Sequence, residues 1–375
     1  MRPRHVVVMG GSWAEAVIVS CREMGYDGVI WPVHPSRKTI ADTPCFASID
    51  DLPESPDAVF LGINRHASID VVKRLSEMGA GGVVAFASGF AEVDDGASLQ
   101  ADLVAAAGDM PVLGPNCYGM INYLDGALLW PDVHGGVRVE SGVAIITQSS
   151  NLSINLTMQQ GGLPIAYMMT LGNQAMVGMA DLIRAAAEDE RVTAIGLHIE
   201  GINDAAAFAE AVHMAKASGK PIIAIKAGAS DGAQMMTFSH TASLAGAHRV
   251  SRAFLTQLGV GVIDGIDSFI QALGILHLYG PPPQPSILTL SCSGGEASLI
   301  ADTADRHGIT MPALSDVAIA NITPTVNPLV TVSNPFDYHT FDWGDLDRLT
   351  ATFTATMKGD QCISILIIDF PSAHL

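Results

Sequence analysis

The sequence predicts an α/β protein in which buried strands of parallel sheets alternate with helices. Short apolar runs recur along the chain, and a stretch with helical periodicity follows most of them. Continuously apolar strands that are rich in Val and Ile and separated by helices are typical of parallel sheets. The predicted strands form three groups: His5–Met9, Val29–Val33, Ala58–Ile63, Val83–Ala87 and Val112–Leu113; Val143–Thr147, Ile165–Thr170, Ala194–Ile199, Pro221–Lys226 and Val260–Ile263; and Ser286–Leu290 with Ile363–Phe370.

Two stretches without periodicity separate these groups. Tyr123–Arg138 carries turn residues, and Tyr279–Pro285 is a proline-rich linker. We therefore predict a first domain over residues 1–128, a second over 138–279 and a third over 285–375. The third domain is expected to be incomplete, because only five residues follow its last strand and strands of such sheets are normally covered by helices.

Helix boundaries are predicted from residues that favour helix ends. Ser68 is expected to open a helix over Ile69–Met78, which Gly79 closes. Another helix is expected over Ala205–Ser218, because Gly-Lys-Pro follows it.

The composition excludes several classes of partner. The formal net charge of −19 argues against nucleic acid and anionic membranes, and no apolar run approaches the roughly 20 residues that span a bilayer. The five cysteines are scattered without paired spacing, which indicates a reducing, cytoplasmic location and no metal site. An anionic ligand would be held by helix N-termini, glycine turns and a few cations.

The turn after the first strand is a candidate phosphate site. It reads Met9-Gly-Gly-Ser-Trp and leads into a predicted helix over Ala14–Met24. Glycines at such a turn let backbone N–H groups approach a phosphate, although any tight strand-to-helix turn favours glycine. The strict G-x-G-x-x-G fingerprint of dinucleotide sites is absent.

The end of the second strand indicates which nucleotide would bind. An NAD site has an Asp or Glu there for the ribose hydroxyls, whereas this chain reads Trp31-Pro-Val-His-Pro-Ser-Arg-Lys. The cations Arg37 and Lys38 suit a ribose that carries a phosphate, as in coenzyme A (CoA) or NADP. An ordinary polar loop is the alternative.

Polar residues also follow the third, fourth and fifth strands. They are Asn64, Ser88 with Gly89, and Asn116. Ligands of open α/β sheets lie beyond the carboxyl ends of strands, so these loops are predicted to converge on one crevice. Asn116 follows Gly-Pro, where Asn commonly serves only to cap a turn.

A second candidate site follows the strand Val143–Thr147. Gln148-Ser-Ser-Asn-Leu-Ser precedes a helix predicted over Ile154–Gln160. Ser149 and Ser150 are candidates for an anion cradle, because free N–H groups and the helix dipole point the same way. Simple capping of the helix is the alternative.

The segment from Lys226 to Gly246 is the most unusual in the chain. It follows a buried strand, and glycines stand on both sides of His240. Long loops in compact domains are commonly functional, so this loop is predicted to move a histidine between sites. Glu200, at the end of the neighbouring strand, is predicted to orient His240. An ion pair between Glu200 and Lys226 is the structural alternative.

Over essentially the whole chain these segments resemble the NDP-forming (ADP-forming) acyl-CoA synthetases, relatives of the alpha subunit of succinyl-CoA synthetase. The most specific match is Ser239-His-Thr-Ala-Ser-Leu-Ala-Gly. The other matches are Gly10-Gly-Ser, Pro32-Val-His-Pro, Asp51-Leu-Pro-Glu-Ser-Pro-Asp, Ser88-Gly-Phe-Ala-Glu, Gly114-Pro-Asn, Thr147-Gln-Ser, Leu171-Gly-Asn, Glu200-Gly-Ile-Asn-Asp, Lys226-Ala-Gly-Ala-Ser, Ser293-Gly-Gly-Glu-Ala and Asn334-Pro-Phe-Asp. The resemblance implies a Rossmann-like CoA-binding domain, a flavodoxin-like ligase domain with a phosphohistidine loop, and a second flavodoxin-like domain.

The resemblance also implies a role for each matching residue. His240 would be the phosphorylated histidine, Glu200 its orienting carboxylate, and Ser149 and Ser150 the helix start that receives the phosphoryl group. Gly10, Gly11, Ser12 and Trp13 would lie along the phosphates of CoA. Ser36, Arg37 and Lys38 would lie near its 3′-phosphate or pyrophosphate. The crevice would contain Asn64, Ser88, Gly89 and Asn116. ATP, ADP and Mg²⁺ would bind an ATP-grasp domain or subunit outside this chain, and we expect a homo-oligomer.

Three positions depart from the family pattern and leave the acid substrate open. Ser150-Asn151 replaces Gly-Ala, Ala242 replaces Gly, and Met176 stands where an acidic residue is usual. The substrate is therefore expected to be a small aliphatic or an aromatic carboxylic acid. The alternative functions are a non-catalytic CoA- or acyl-CoA-binding regulatory protein on the same domains and, less favoured, an NADP-dependent oxidoreductase.

Overall fold

The computed structural model describes residues 2–230, 248–359 and 361–368. Helices alternate with strands of parallel sheets, which confirms the predicted α/β class. The chain divides into two units, Met1–Gly280 and Pro281–Leu375. The finer division into three domains stays a prediction.

The first sheet lies in the amino-terminal part of the first unit. Its strands are β1 (His5–Gly10), β2 (Val29–Val33), β5 (Ala58–Gly62), β6 (Val83–Ala85) and β7 (Val112–Leu113), with a small ribbon of β3 (Thr39–Ile40) and β4 (Thr43–Pro44); its helices are α1 (Ser12–Glu23), α2 (Arg65–Glu77) and α3 (Ala97–Ala107), with a 3₁₀ turn at Ile49–Asp51. The five main strands are parallel, in the order β2-β1-β5-β6-β7. The chain passes from β1 to β2 on one side and then to β5 on the other. The carboxyl ends of β1 and β5 therefore form a topological switch point, where such sheets bind ligands.

The second sheet completes the first unit. Its strands are β8 (Met120–Asn122), β9 (Ala127–Leu129), β10 (Gly142–Thr147), β11 (Ile165–Thr170), β12 (Val192–Ile199), β13 (Ile222–Lys226) and β14 (Gly261–Val262); its helices are α4 (Ser150–Thr157), α5 (Met179–Glu188), α6 (Ala205–Ala217), α7 (His248–Gln257) and α8 (Ile266–Tyr279). The order is β14-β13-β12-β10-β11-β8-β9, parallel except for the β8–β9 hairpin. The chain leaves β10 for β11 on one side and reaches β12 on the other, so the carboxyl ends of β10 and β12 form a second switch point.

The β8–β9 hairpin joins the two sheets of the first unit. Its second strand lies within Tyr123–Arg138, which the sequence predicted to be irregular throughout, so that prediction was wrong. The hairpin packs on α1, where the thiol of Cys21 donates to the carbonyl of Leu128 (3.3 Å) and accepts from its N–H (3.2 Å). Burial raises the pKa of Cys21 to about 12, which keeps the thiol protonated as a donor. One hydrophobic core accordingly contains side chains from both sheets.

Capping determines where the helices near the strand ends begin. Helix α2 begins at Arg65 because Asn64 Oδ1 accepts from two first-turn N–H groups, at 3.1 and 3.0 Å. The predicted start at Ser68 was wrong, since its hydroxyl donates to the Asn64 carbonyl instead (2.9 Å). Helix α4 begins at Ser150 rather than Ile154, whereas α6 ends as predicted, with Ser218 at its C-cap.

The second unit contains a small parallel sheet. Its strands are β15 (Ile287–Ser291), β16 (Phe336–Asp337) and β17 (Ile363–Leu366), in the order β16-β15-β17; its helices are α9 (Gly294–Arg306), α10 (Asp316–Ile322) and α11 (Leu346–Met357), with a 3₁₀ turn at Thr323–Thr325. Ser293 caps α9 by accepting from the Glu296 N–H (3.4 Å). In the part of the chain that the structure describes, no helix is both long and apolar enough to cross a membrane.

Candidate functional site

The two switch points of the first unit face one cavity of about 970 Å³. Its walls include residues that follow strands of both sheets, and this volume lies near the upper end of the range for small-molecule sites. Of the residues predicted for the two candidate sites, seven line it: Trp13, Asn64, Ser88, Asn116, Ser149, Ser150 and Glu200. The cavity thus brings together residues that the sequence placed in two separate sites.

The turn between β1 and α1 forms one approach to this region. Gly10 has φ +137°, and a Cβ there would lie 2.6 Å from the Gly62 carbonyl oxygen, so β1 and β5 can approach closely only with glycine. At Gly11 a Cβ would meet nothing within 4 Å, and no side chain caps the first turn of α1. The backbone N–H groups of the first turn, beginning at Ser12, can therefore donate to an anionic group, and the positive end of the helix dipole would attract it.

Several predicted ligand residues do not line the cavity. Ser36, Arg37 and Lys38 lie in an exposed loop after β2, in which the N–H groups of Ser36 and Arg37 donate to His34 Nδ1, at 3.2 and 3.1 Å. Gly89 does not line the cavity; its N–H donates to Glu92 and its carbonyl accepts from Arg65. Gly10, Gly11 and Ser12 of the β1–α1 turn do not line the cavity either, whereas the next residue, Trp13, does.

An amide network joins the loops of the two sheets at the cavity wall. Asn116 has φ +58°, and its side chain donates to Asn173 Oδ1 at 3.3 Å. Asn173 in turn donates to Glu92 and, at 3.1 Å, to Gln100. Its backbone N–H bonds to the Pro115 carbonyl at 2.9 Å. Asn116 therefore does more than shape its own turn, since it links the first sheet to the loop after β11.

The start of α4 forms the opposite side of the cavity. The side chain of Ser149 caps the helix by accepting from the Leu152 N–H (3.4 Å), which is the capping role that the sequence left open. The hydroxyl of Ser150 accepts from the backbone N–H of Tyr118 (3.4 Å). Both hydroxyls thus stand beside the positive end of the helix dipole, where negative charge is stabilised.

Gln148 is a site residue that the sequence interpretation did not single out. The residue is 9% exposed. Its Oε1 accepts from the backbone N–H groups of Glu200 and Gly201 (3.0 Å for Gly201), and its Nε2 donates to the Gly201 carbonyl at 2.9 Å. The sequence signals were its place directly after β10, at the second switch point, and its inclusion in the matching segment Thr147-Gln-Ser. These bonds fix the start of α4 relative to the loop that carries Glu200.

Glu200 lies directly after β12 and lines the cavity. The neighbouring ammonium group of Lys226 donates to the backbone carbonyls of Glu200 (2.9 Å) and Ala227. Burial lowers the pKa of Lys226, and the charge of Glu200 opposes that shift. His240 lies outside the described residues, so its placement relative to Glu200 stays a prediction.

His198, next to this site on β12, is buried and its ring contacts Thr147 Oγ1 (3.4 Å). Burial lowers the pKa of His198 to about 4, with a smaller effect from the Lys226 charge. Between about pH 6.5 and 4 the unfolded chain binds a proton here that the folded chain does not, so acidification through this window costs stability. In His198→Gln the free energy of unfolding should therefore fall less on acidification from pH 6.5 to 4, by up to roughly 3 kcal/mol.

Urea unfolding of the protein and of His198→Gln at pH 7.5 and 4.5 measures this difference. His213→Gln, a change at an exposed histidine of α6, is the matched control. An acid dependence in His198→Gln equal to that of the unchanged protein would contradict the assignment.

Comparisons with known proteins agree with this arrangement. Residues 4–123 match the family model of a CoA binding domain, and residues 140–276 match that of a succinyl-CoA ligase like flavodoxin domain. The chain is 30% identical to the alpha subunit of ADP-forming acetate–CoA ligase I from Pyrococcus furiosus, over 89% of this chain and 75% of that subunit. It is 27% identical to trans-feruloyl-CoA synthase FCS1 from an unknown prokaryotic organism, over 98% of this chain and 54% of that protein.

Solved structures show the same fold. The chain superposes on ADP- and phosphate-bound dinucleotide forming acetyl-coenzyme A synthetase 1 of Ca. Korarchaeum cryptofilum with a TM-score of 0.84 and 24% identity, covering 94% of this chain and 77% of that one. The chain spans about half the length of several curated relatives that it matches. On the extent of the match to the Pyrococcus furiosus alpha subunit, this chain belongs to the NDP-forming acyl-CoA synthetase family.

Proposed function

We propose that this chain carries the CoA and phosphohistidine part of an acid–thiol ligase that makes an acyl-CoA from a carboxylic acid, CoA and ATP. The observation that carries the proposal is that both switch points face one cavity. The first switch point contributes Trp13 from the first turn of α1 and Asn64 after β5, and the second contributes the start of α4 together with Glu200. A cavity of this kind can hold a thiol from one side and a phosphorylated acid from the other.

The chemistry needs an activated acid, because a carboxylate is a poor electrophile. An acyl phosphate supplies that activation, and the CoA thiol then displaces phosphate to give the thioester. In the proposal, the start of α4 with Ser149 and Ser150 stabilises the phosphate charge. Glu200 orients His240, which accepts the phosphoryl group as a covalent nucleophile.

The nucleotide step is assigned to an ATP-grasp domain or subunit, which would hold ATP or ADP with Mg²⁺. Support comes from the relatives, which include ligases named as ADP-forming and separate alpha subunits of such ligases. A cytoplasmic location and a homo-oligomeric state are part of the same proposal. The free thiols of all five cysteines are compatible with a reducing compartment.

Binding of CoA, but not of NAD(H), is the expected result of calorimetry. Arg37 and Lys38 stand where an NAD site needs an acidic residue, so dephospho-CoA should bind more weakly than CoA. Arg37→Ala/Lys38→Ala should weaken CoA binding roughly tenfold, or about 1.4 kcal/mol, and leave dephospho-CoA unaffected. Lys73→Ala, an exposed change on α2, is the control. Heat with NADH and none with CoA would refute the assignment.

A reconstitution experiment tests the whole function. We expect no thioester from acid, ATP, Mg²⁺ and CoA with the purified 375-residue chain, and turnover once an ATP-grasp subunit of the family is added. Turnover by the chain alone would show that it contains a nucleotide site. CoA binding without turnover, in the presence of an ATP-grasp subunit shown to be active with its own partner, would favour the regulatory alternative.

A further inference from the structure

Aromatic side chains form a continuous row along one wall of the cavity. Trp13, Phe86 and Tyr118 all line it. The ring centroids of Trp13 and Phe86 are 5.0 Å apart, and those of Phe86 and Tyr118 are 5.9 Å apart. These separations lie within the range at which aromatic rings attract one another. The three rings therefore offer one connected aromatic surface to a ligand.

This row is held by buried aromatic residues behind it. Trp130 packs edge-on against Tyr118 at 5.4 Å, and Phe60 packs against Phe86 at 5.8 Å. Both supporting side chains are fully buried. A surface fixed in this way is preorganised, so a ligand ring need not order it on binding.

The inner end of the row adjoins the start of α4. The backbone N–H of Tyr118 donates to Ser150 Oγ (3.4 Å), so the Tyr118 residue itself contacts the group that would meet the reacting carboxyl or phosphate. The outer end, Trp13, is 44% exposed at the turn assigned to CoA. Tyr118 and Phe86 thus lie between the start of α4, which is assigned to the phosphate, and Trp13, which is assigned to CoA.

We propose that the acid substrate is an aromatic carboxylic acid whose ring packs on Tyr118 and Phe86 while its carboxyl group lies at the start of α4. This inference rests on the proposed function. Acetate would leave these rings without a partner in a cavity of about 970 Å³. A phenyl group separated from the carboxyl by a short linker would reach them and add ring–ring contacts to the burial of apolar surface.

Phosphorolysis of thioesters tests the proposal without the nucleotide step. In this reaction an oxygen of hydrogen phosphate bonds to the acyl carbon, the carbon–sulfur bond breaks, and CoA leaves as the thiol with the proton from phosphate. Acetyl-CoA, hexanoyl-CoA and 3-phenylpropanoyl-CoA serve as probes, with CoA release followed by a thiol reagent. We expect kcat/KM for the phenylpropanoyl thioester to exceed that of the other two at least tenfold.

Variants of the aromatic row test whether the acyl group or the pantetheine arm of CoA packs on it. Phe86→Leu and Tyr118→Leu should lower the ratio of kcat/KM for 3-phenylpropanoyl-CoA to kcat/KM for acetyl-CoA tenfold or more. Tyr118→Phe should retain the preference for the phenylpropanoyl thioester. Phe46→Leu is the matched control, since Phe46 packs on Trp31 (6.5 Å) and does not line the cavity.

Three results would overturn the inference. Equal use of hexanoyl and phenylpropanoyl thioesters, or better use of acetyl-CoA, would exclude an aromatic subsite while the proposed function stands. Equal losses for every thioester in Phe86→Leu would assign the row to pantetheine. Absence of CoA release from all probes would contradict the proposed function and the inference with it.

Discussion

Replacing His240 with alanine should abolish both phosphate labelling of the protein and synthesis of acyl-CoA. The imidazole is the only covalent acceptor in the proposed cycle, so no partial route is expected. Acyl phosphate, or ATP with an ATP-grasp subunit, should label the unchanged protein with a phosphate that is labile in acid and stable in base. Radiolabelled phosphate retained through gel electrophoresis at neutral or alkaline pH measures the label.

The same experiment tests Glu200. A carboxylate that bonds one ring nitrogen fixes the tautomer in which the other nitrogen is the nucleophile. Glu200→Gln should therefore slow labelling by about 10²-fold or more without removing the acceptor. His213→Ala, an exposed change on α6, is the control, and CoA affinity should survive in all three variants. Full synthesis by His240→Ala would mean that phosphate never reaches this loop.

The strands were predictable from the sequence, because strands of parallel sheets are buried on both faces and stand out as apolar runs. The convergence of Asn64, Ser88 and Asn116 was also predictable, since parallel strands bring their carboxyl ends to one edge. The short hairpin strand Ala127–Leu129 was not predictable. Its three residues show no period, and only pairing with β8 makes them a strand.

The roles of individual polar side chains were less predictable because they depend on partners distant in the chain. Ser68 and Asn64 are both good caps, and only the structure shows that Asn64 takes the two N–H groups. Gln148 is similar. Its partners, Glu200 and Gly201, lie in the loop after β12, which the sheet register places beside β10, with Thr147 opposite His198. No local sequence pattern around Gln148 predicts its contact with the loop after β12.

Gln148 should consequently be a positioning residue with a large effect on turnover. In Gln148→Leu two backbone N–H groups and one carbonyl lose their partner, so the loop that carries Glu200 is no longer fixed to the start of α4. Each buried group left unpaired costs about 1–3 kcal/mol, which favours a shift of the loop. Because displacements near 1 Å can cost about 10² in rate, we expect kcat to fall about 100-fold with little change in KM for CoA.

A second glutamine of the same region provides a matched control for this prediction. Gln159, just beyond the far end of α4, also bonds backbone groups through both side-chain atoms, accepting from the Gly161 N–H (2.8 Å) and donating to the Leu163 carbonyl (3.1 Å). Gln159→Leu should lower the melting temperature in the same direction but leave kcat nearly unchanged, since it does not touch the cavity. Gln148→Glu keeps an acceptor for the two N–H groups but loses the donor and adds negative charge beside the proposed phosphate position. Its kcat should therefore remain low even if its stability recovers. Equal kcat losses in the two leucine variants would show that Gln148 acts only through stability.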